Sequence, residues 1–304
     1  MKKSFWVLLL MVAILLMGMT GIGAEKPKKI GISVISFVNE FCVNIEKGAR
    51  QAVEKAGGEC ITQSAGDDNA RQLAAIENFI QMKVDVIILQ PRDAQALVPA
   101  VEQANRAGIP VVTFDADTYG GERACYVGVD NFKIGVTSAT YVAKRLKGKG
   151  NVVMFHLPTH SGCLERENGF RSVLKEYPGI KVIADHVSIF IPENMSAMEN
   201  ILQAHKDINA VWCTFDLQAV GCTQAIMAAK REGIFVTGTD GDEMAIEMIK
   251  KGTPLSYTIS QLPLEIGKIA GEVAMKIAKG EKVPKRIVTP IAEITQDNAN
   301  DFLK

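Results

Sequence analysis

The chain predicts an α/β fold: two doubly wound parallel-sheet lobes joined by a three-segment hinge. Three observations carry this. Short runs rich in β-branched residues alternate with amphipathic stretches of helical period along most of the 304 residues. The strand runs are apolar throughout, as strands covered by helices on both faces are. The βα series halts near residues 129–131 and restarts at similar length, so the chain builds two sheets and not one.

In the first series the strands are expected at 30–35 (IGISVI), 59–63, 84–89 (VDVIIL) and 110–114 (PVVTF). Helices are expected over 41–56, 69–82 and 94–107, and Gly57-Gly58 and Gly108 stop two of them. In the second series the strands are 151–155, 181–187, 210–213 and 235–239, with helices over 164–176, 195–205 and 219–231. Residues 255–294 hold one more strand, a helix over 263–279 and a β-rich tail. That is too little for a domain, so this segment is expected to cross back to the first lobe and return. The expected partition is 25–129 plus 262–291 for the N-terminal lobe and 130–261 plus 292–304 for the C-terminal lobe. Hinge strands fall near 129–131, 260–262 and 291–292.

Lys2 and Lys3 precede an apolar run at 5–19 and a small-residue tail ending at Ala24. This is the layout of a cleavable export leader over residues 1–24. The run of about 15 residues falls short of the roughly 20 that span a bilayer. No cysteine precedes Cys42, so no lipid anchor is expected, and the periplasm is the inferred destination. The chain balances 34 basic against 34 acidic residues. A surface so close to neutral is not built to hold nucleic-acid phosphates, and nucleic acid is excluded as a partner. The six cysteines show no CxxC pattern and are expected as buried free thiols. The four histidines show no HExxH spacing, and no GxGxxG or Walker loop occurs. Neither a metal nor a cofactor is expected.

Ligands of doubly wound sheets bind outside the carboxyl ends of the strands. Those ends are polar here. The first strand runs into Ser36 through Phe41, the third into Gln90-Pro91-Arg92-Asp93, and the fourth into Asp115-Ala116-Asp117. In the second lobe the ends are 158–163, Thr214-Phe215-Asp216 and Thr239-Asp240-Gly241-Asp242. Carboxylates accept pairs of hydroxyl hydrogens, amides both donate and accept, and aromatic faces cover C–H surfaces. That set fits a neutral polyhydroxylated molecule. The rival is an enzyme using Asp115 and Asp117 as an acid–base pair on a glycoside. No nucleophile–base constellation accompanies them.

At these same loops the sequence resembles the ribose-binding-protein family of periplasmic sugar-binding proteins, over nearly all of residues 28–297. The matching segments include SFVNEFCVNIEKG (36–48), VDVIILQPRDAQALV (84–98), AGIPVVTFD (107–115), VGVDNFKIG (127–135), ERENGF (165–170) and ISQLPLEIG (259–267). The resemblance implies the type I periplasmic-binding-protein fold, no catalysis, and a sugar or polyol ligand handed to an ABC transporter permease. It places ligand contacts at Asn39, Phe41, Asp115, Arg166, Asp240 and Gln261. Gln90 replaces the family's asparagine. Cys42 and Thr239 stand where phenylalanines are usual, and Ala116 where ribose binders carry an arginine. Phe215 replaces an asparagine and, with Asp216, is expected to form a stacking and hydrogen-bonding pair. Phe190 matches only with a one-residue shift. These departures point away from ribose itself, toward another pentose, hexose or polyol. The chain is expected to act as a monomer, and a chemoreceptor is left open as a second partner. An autoinducer-2-type furanone receptor is the alternative that Asp115-Ala116-Asp117 keeps open. A regulator of the lac-repressor type would need an N-terminal helix-turn-helix in place of the leader.

Overall fold

The computed structural model describes residues 26–303; the expected leader at 1–24 lies outside them. The first sheet is built from β1 (Lys29–Val34), β2 (Glu59–Ser64), β3 (Val86–Leu89), β4 (Val111–Phe114), β5 (Cys125–Gly128) and, from the far end of the chain, β11 (Arg286–Val288). Its order is β11-β5-β4-β3-β1-β2, and all its strand pairs are parallel. Between these strands run α1 (Glu40–Lys55), α2 (Asn69–Gln81) and α3 (Val98–Arg106). The second sheet holds β6 (Lys149–His156), β7 (Gly179–Val187), β8 (Ala210–Cys213), β9 (Phe235–Thr237), β10 (Leu255–Ser260) and β12 (Ala292–Thr295). Its order is β12-β10-β9-β8-β6-β7, and only β12 runs antiparallel, against β10. Its helices are α4 (Asn131–Arg145), α5 (Ser161–Leu174), α6 (Ile191–Ala204), α7 (Asp216–Ala228) and α8 (Glu243–Lys250). The long helix α9 (Pro263–Ala278) lies between β10 and β11 and packs on α1, in the first layer of helices.

The apolar strands are buried as their composition requires. Every residue of β3 and β4 is buried, as are Ile30, Ile32 and Val34 of β1. Each such side chain stabilises the fold by about 1.5–3 kcal/mol. In each lobe one helix pair approaches closely through glycine. A Cβ at Gly48 or Gly267 would strike the backbone of the facing helix in the α1–α9 pair, and one at Gly135 or Gly169 would do so in the α4–α5 pair. The second contact fixes α5, which carries Arg166.

Some elements depart from the sequence reading. β5, α4 and α8 have no counterpart among the expected elements. β5 is only four residues long, and α4 mixes small, polar and apolar residues on every turn. The third helix begins at Val98 and not at 94. Asp93 Oδ1 instead accepts from the amides of Gln95 and Ala96 in a turn, and a proline opens the helix. Among the described residues no helix is long and apolar enough to cross a membrane.

Candidate ligand-binding cleft

The carboxyl ends of both sheets converge on one cavity between the lobes. Asn39, Phe41, Gln90 and Asp115 line it from the first lobe. Arg166, Phe215 and Asp240 line it from the second, and Gln261 lines it where the chain crosses after β10. The lobes touch across it. The Ala94 amide donates to the Thr159 carbonyl (3.1 Å), the Asp117 amide to Ser161 Oγ (2.8 Å), and the Glu243 amide to Glu40 Oε2 (3.0 Å).

Each polar group is held by its own turn. Asn39 Oδ1 caps α1 by accepting from the Phe41 amide (2.8 Å), so its helix-cap role and its cleft position coexist. Asp115 follows β4 with φ at 65°, in the left-handed region that, glycine apart, asparagine and aspartate adopt more readily than most residues. Its Oδ2 accepts from Gln90 Nε2 (2.9 Å) and faces His160 Nε2 (3.5 Å), while its buried Oδ1 has no partner. Arg166 is 2% exposed. Its Nε donates to Asn131 Oδ1 (2.8 Å), its Nη1 to the Thr214 carbonyl (2.7 Å), and Nη1 lies 3.6 Å from Asp240 Oδ1. Asp240, with φ at 130°, also accepts from Gln261 Nε2 (2.7 Å), which leaves Gln261 Oε1 buried and unpartnered.

Two carboxylates singled out in the sequence lie apart from the cavity. Asp216 is buried beneath it. Its Oδ2 accepts from the amides of Gly241 (2.8 Å) and Asp242 (2.9 Å), and its Oδ1 accepts from Thr258 Oγ1 (2.7 Å). It fastens the turn that carries Asp240, so only Phe215 of the expected pair lines the cavity. Asp117 is bound by Arg123 Nε (2.8 Å) and Thr113 Oγ1 (2.9 Å) and makes no acid–base pair with Asp115. The sequence placed Arg92, His160 and Cys163 in strand-end loops facing the ligand without singling them out as contacts, and Asp67 was missed; all four line the cavity. His160 caps α5, its Nδ1 accepting from the Cys163 amide (3.3 Å). The signal for it was its place immediately before a helix, in the loop that follows β6. The six cysteines stand as free thiols, five of them buried; Cys42 and Cys163 line the cavity. Among the described residues no group of His, Cys, Asp and Glu is placed to hold a metal ion.

The charges are uneven. Burial pushes the Asp115 carboxyl up, but His160, Arg166 and the Gln90 bond outweigh it and hold Asp115 below the usual carboxylate range. Burial, with the charge of Asp115, raises Asp240 to about 7 against the pull of Arg166. Burial opposes a charge on His160, while Cys163 and Asp115 favour one. The cap bond needs the Nδ1 lone pair, so we assign the neutral ring with its proton on Nε2, facing Asp115.

Comparison with known proteins decides the family. The periplasmic binding protein domain model matches residues 30–282. The chain belongs to the periplasmic binding protein family. It is 36% identical over 277 residues to the ribose import binding protein of Bacillus subtilis, covering 90% of this chain and 89% of that one. It is 30% identical over 294 residues to the xylitol-binding protein of Mycolicibacterium smegmatis, covering 93% and 83%. Among solved structures, a solute-binding protein from Bacillus halodurans with bound myo-inositol superposes with a TM-score of 0.86 at 29% identity, covering 92% and 98%. The fold is that of the type I members, and the chain is a solute-binding protein of this sugar-importer class. Its relatives bind substrates and are not enzymes. Neither the furanone receptor nor the glycoside-processing enzyme is favoured.

Proposed function

We propose that this chain binds a small neutral sugar or polyol between its lobes in the periplasm and presents the closed complex to the permease of an ABC importer. One observation carries the reading. Two buried acceptors on the cavity wall, Asp115 Oδ1 and Gln261 Oε1, lack protein donors, and buried polar atoms left unpaired are costly. Ligand hydroxyls supply those donors, and Phe41, Phe215 and Phe190 cover the C–H faces. Relatives named for ribose and xylitol, and a structural neighbour holding myo-inositol, support the same class.

Asn39, Phe41, Gln90, Asp115, Arg166, Phe215, Asp240 and Gln261 are the contacts on this reading. The hinge runs through 129–131, 260–262 and 291–292, and Leu262, with φ at 56°, sits at one crossing. A ligand that bridges both lobes binds the closed form better, and that difference drives closure. The chain acts as a monomer delivered by its leader, with a chemoreceptor as the further partner this architecture admits.

Thermal unfolding with ribose, xylitol, D-allose, myo-inositol and glycerol tests the reading. A ligand at a thousandfold excess over its Kd adds about 4 kcal/mol of apparent stability, and small-angle scattering should then record a smaller radius of gyration. If no sugar or polyol moves the midpoint, the reading fails.

A further inference from the structure

The cleft is chemically lopsided. Its polar side, around Asp115 and Gln261, has acceptors to spare. The opposite holds where β6, β7 and the start of α7 meet. Gln218 is fully buried there and spends its whole amide inside the protein. Its Nε2 donates to the carbonyls of His156 (3.2 Å) and Ser188 (2.8 Å), and its Oε1 accepts from the amide (3.1 Å) and hydroxyl (3.0 Å) of Thr214. These bonds tie three chain segments together. Leu157 and Ile189 with Phe190, which follow the two bonded carbonyls, and Leu217, which precedes Gln218, all line the cavity.

The polar groups directly behind this corner are also spent on one another. Ser188 Oγ bonds to Asn194 Oδ1 (2.6 Å), and Asn194 Nδ2 donates to the carbonyls of Ile189 (3.1 Å) and Phe190 (2.8 Å). Glu167 is held by His156 (2.7 Å) and Arg171 (2.7 Å). The four apolar side chains can neither donate nor accept. A ligand hydroxyl pressed against them on closure would give up water for nothing. A methyl or methylene at the same place would gain by burial.

We propose that this corner sets specificity: the site selects a sugar or polyol with a deoxy carbon or methyl group at the end that meets Leu157, Ile189, Phe190 and Leu217. The inference rests on the sugar-binding reading above.

Isothermal titration with matched pairs tests it: D-galactose against 6-deoxy-D-galactose, L-mannose against 6-deoxy-L-mannose, and D-ribose against 5-deoxy-D-ribose. In the pair that binds, the deoxy member should bind about tenfold more tightly or better, the scale on which pockets discriminate at one carbon. Leu217→Asn, a half-exposed position whose fold is checked by its melting temperature, should narrow that ratio to about threefold or less. A hydroxylated member that binds as well as its deoxy partner overturns the proposal and leaves the sugar reading standing. An unchanged ratio in the folded Leu217→Asn variant overturns the role of the corner. Silence from all six sugars overturns the proposal, and silence from the sugar and polyol melting panel as well overturns both readings.

Discussion

Asp115 and Asp240 occupy corresponding places in the two lobes. Each follows a central strand of its sheet, each has positive φ, each is nearly fully buried, and each faces the same cavity. Their charges nonetheless diverge. Burial raises both, yet Asp115 has His160, Arg166 and Gln90 against that rise and ends below the ordinary range. Asp240 shares Arg166 but feels the charge of Asp115, and reaches about 7. The repeated fold places the two carboxyls alike, and the neighbours decide what each can do. A ligand therefore meets a fixed anionic acceptor in the first lobe and, in the second, a carboxyl that can also hold a proton and donate.

The largest effect is expected from the group that both carboxyls feel. Arg166→Ala strips Asp240 of its cation and leaves Asn131 and the Thr214 carbonyl without their donor. Breaking such a buried pair costs on the order of 3 kcal/mol, to be read by denaturant unfolding, and titration should find no sugar binding. Arg166→Lys should recover part of the stability but not the affinity, because an ammonium cannot reach Asn131, Thr214 and Asp240 together. Near-normal binding by Arg166→Ala would break the comparison outright. Asp115→Asn comes next. It keeps the shape and removes the fixed charge, so affinity should fall by about 1.5–3 kcal/mol, and stability should fall as well, because the lowered pKa shows that the fold favours the carboxylate.

Asp240 tests the other half. Its folded pKa of about 7 lies above the unfolded aspartate value of about 3.9, so the folded chain holds the extra proton. That contribution is complete below the unfolded value and is lost as pH rises through about 7. The unliganded melting temperature should therefore decline between pH 4 and 8. Asp240→Asn should make the decline shallower without removing it, since Asp216 and Asp242 are raised too, by burial and then by the charge of Asp240. An unaltered slope would mean that Asp240 is ionised throughout.

Much of this was legible in the sequence, for physical reasons. Strands such as β3 and β4 are apolar on both faces only when helices cover both, so their composition exposes the layer order. Asn39, Asp115 and Asp240 are polar residues at strand ends, where a doubly wound sheet must open on its ligand. What remained hidden depends on side-chain direction. Asp216 is adjacent to Phe215, yet it turns inward to three donors on distant segments of the chain. Such bonds leave no local pattern. His160 was hidden for the opposite reason, since a histidine before a helix reads as a loop residue until the other lobe brings Asp115 to it. The short β5 and the mixed composition of α4 offered too little periodicity to be separated from loop.

Asp216→Asn should give the smallest effect and sharpens the comparison most finely. Asp216 supports Asp240 from below: its Oδ2 receives two amides of the turn and its Oδ1 receives Thr258. Burial, then the charge of Asp240, raises its pKa well above the ordinary value, so a neutral group at this position is tolerated. An asparagine can keep the two turn amides on its carbonyl oxygen, while its NH2 meets Thr258 Oγ1, which can rotate to accept. The loss of stability should be about 1 kcal/mol, seen as a small fall in melting temperature. Affinity should change by less than about threefold, which is under 1 kcal/mol, because the turn and Asp240 stay in place. The decline of stability with pH should also lessen, since one of three neighbouring acids is gone. If Asp216→Asn instead loses affinity as Asp115→Asn does, Asp216 touches the ligand in the bound form, and the second lobe offers two carboxyls to the cleft where the structure shows one.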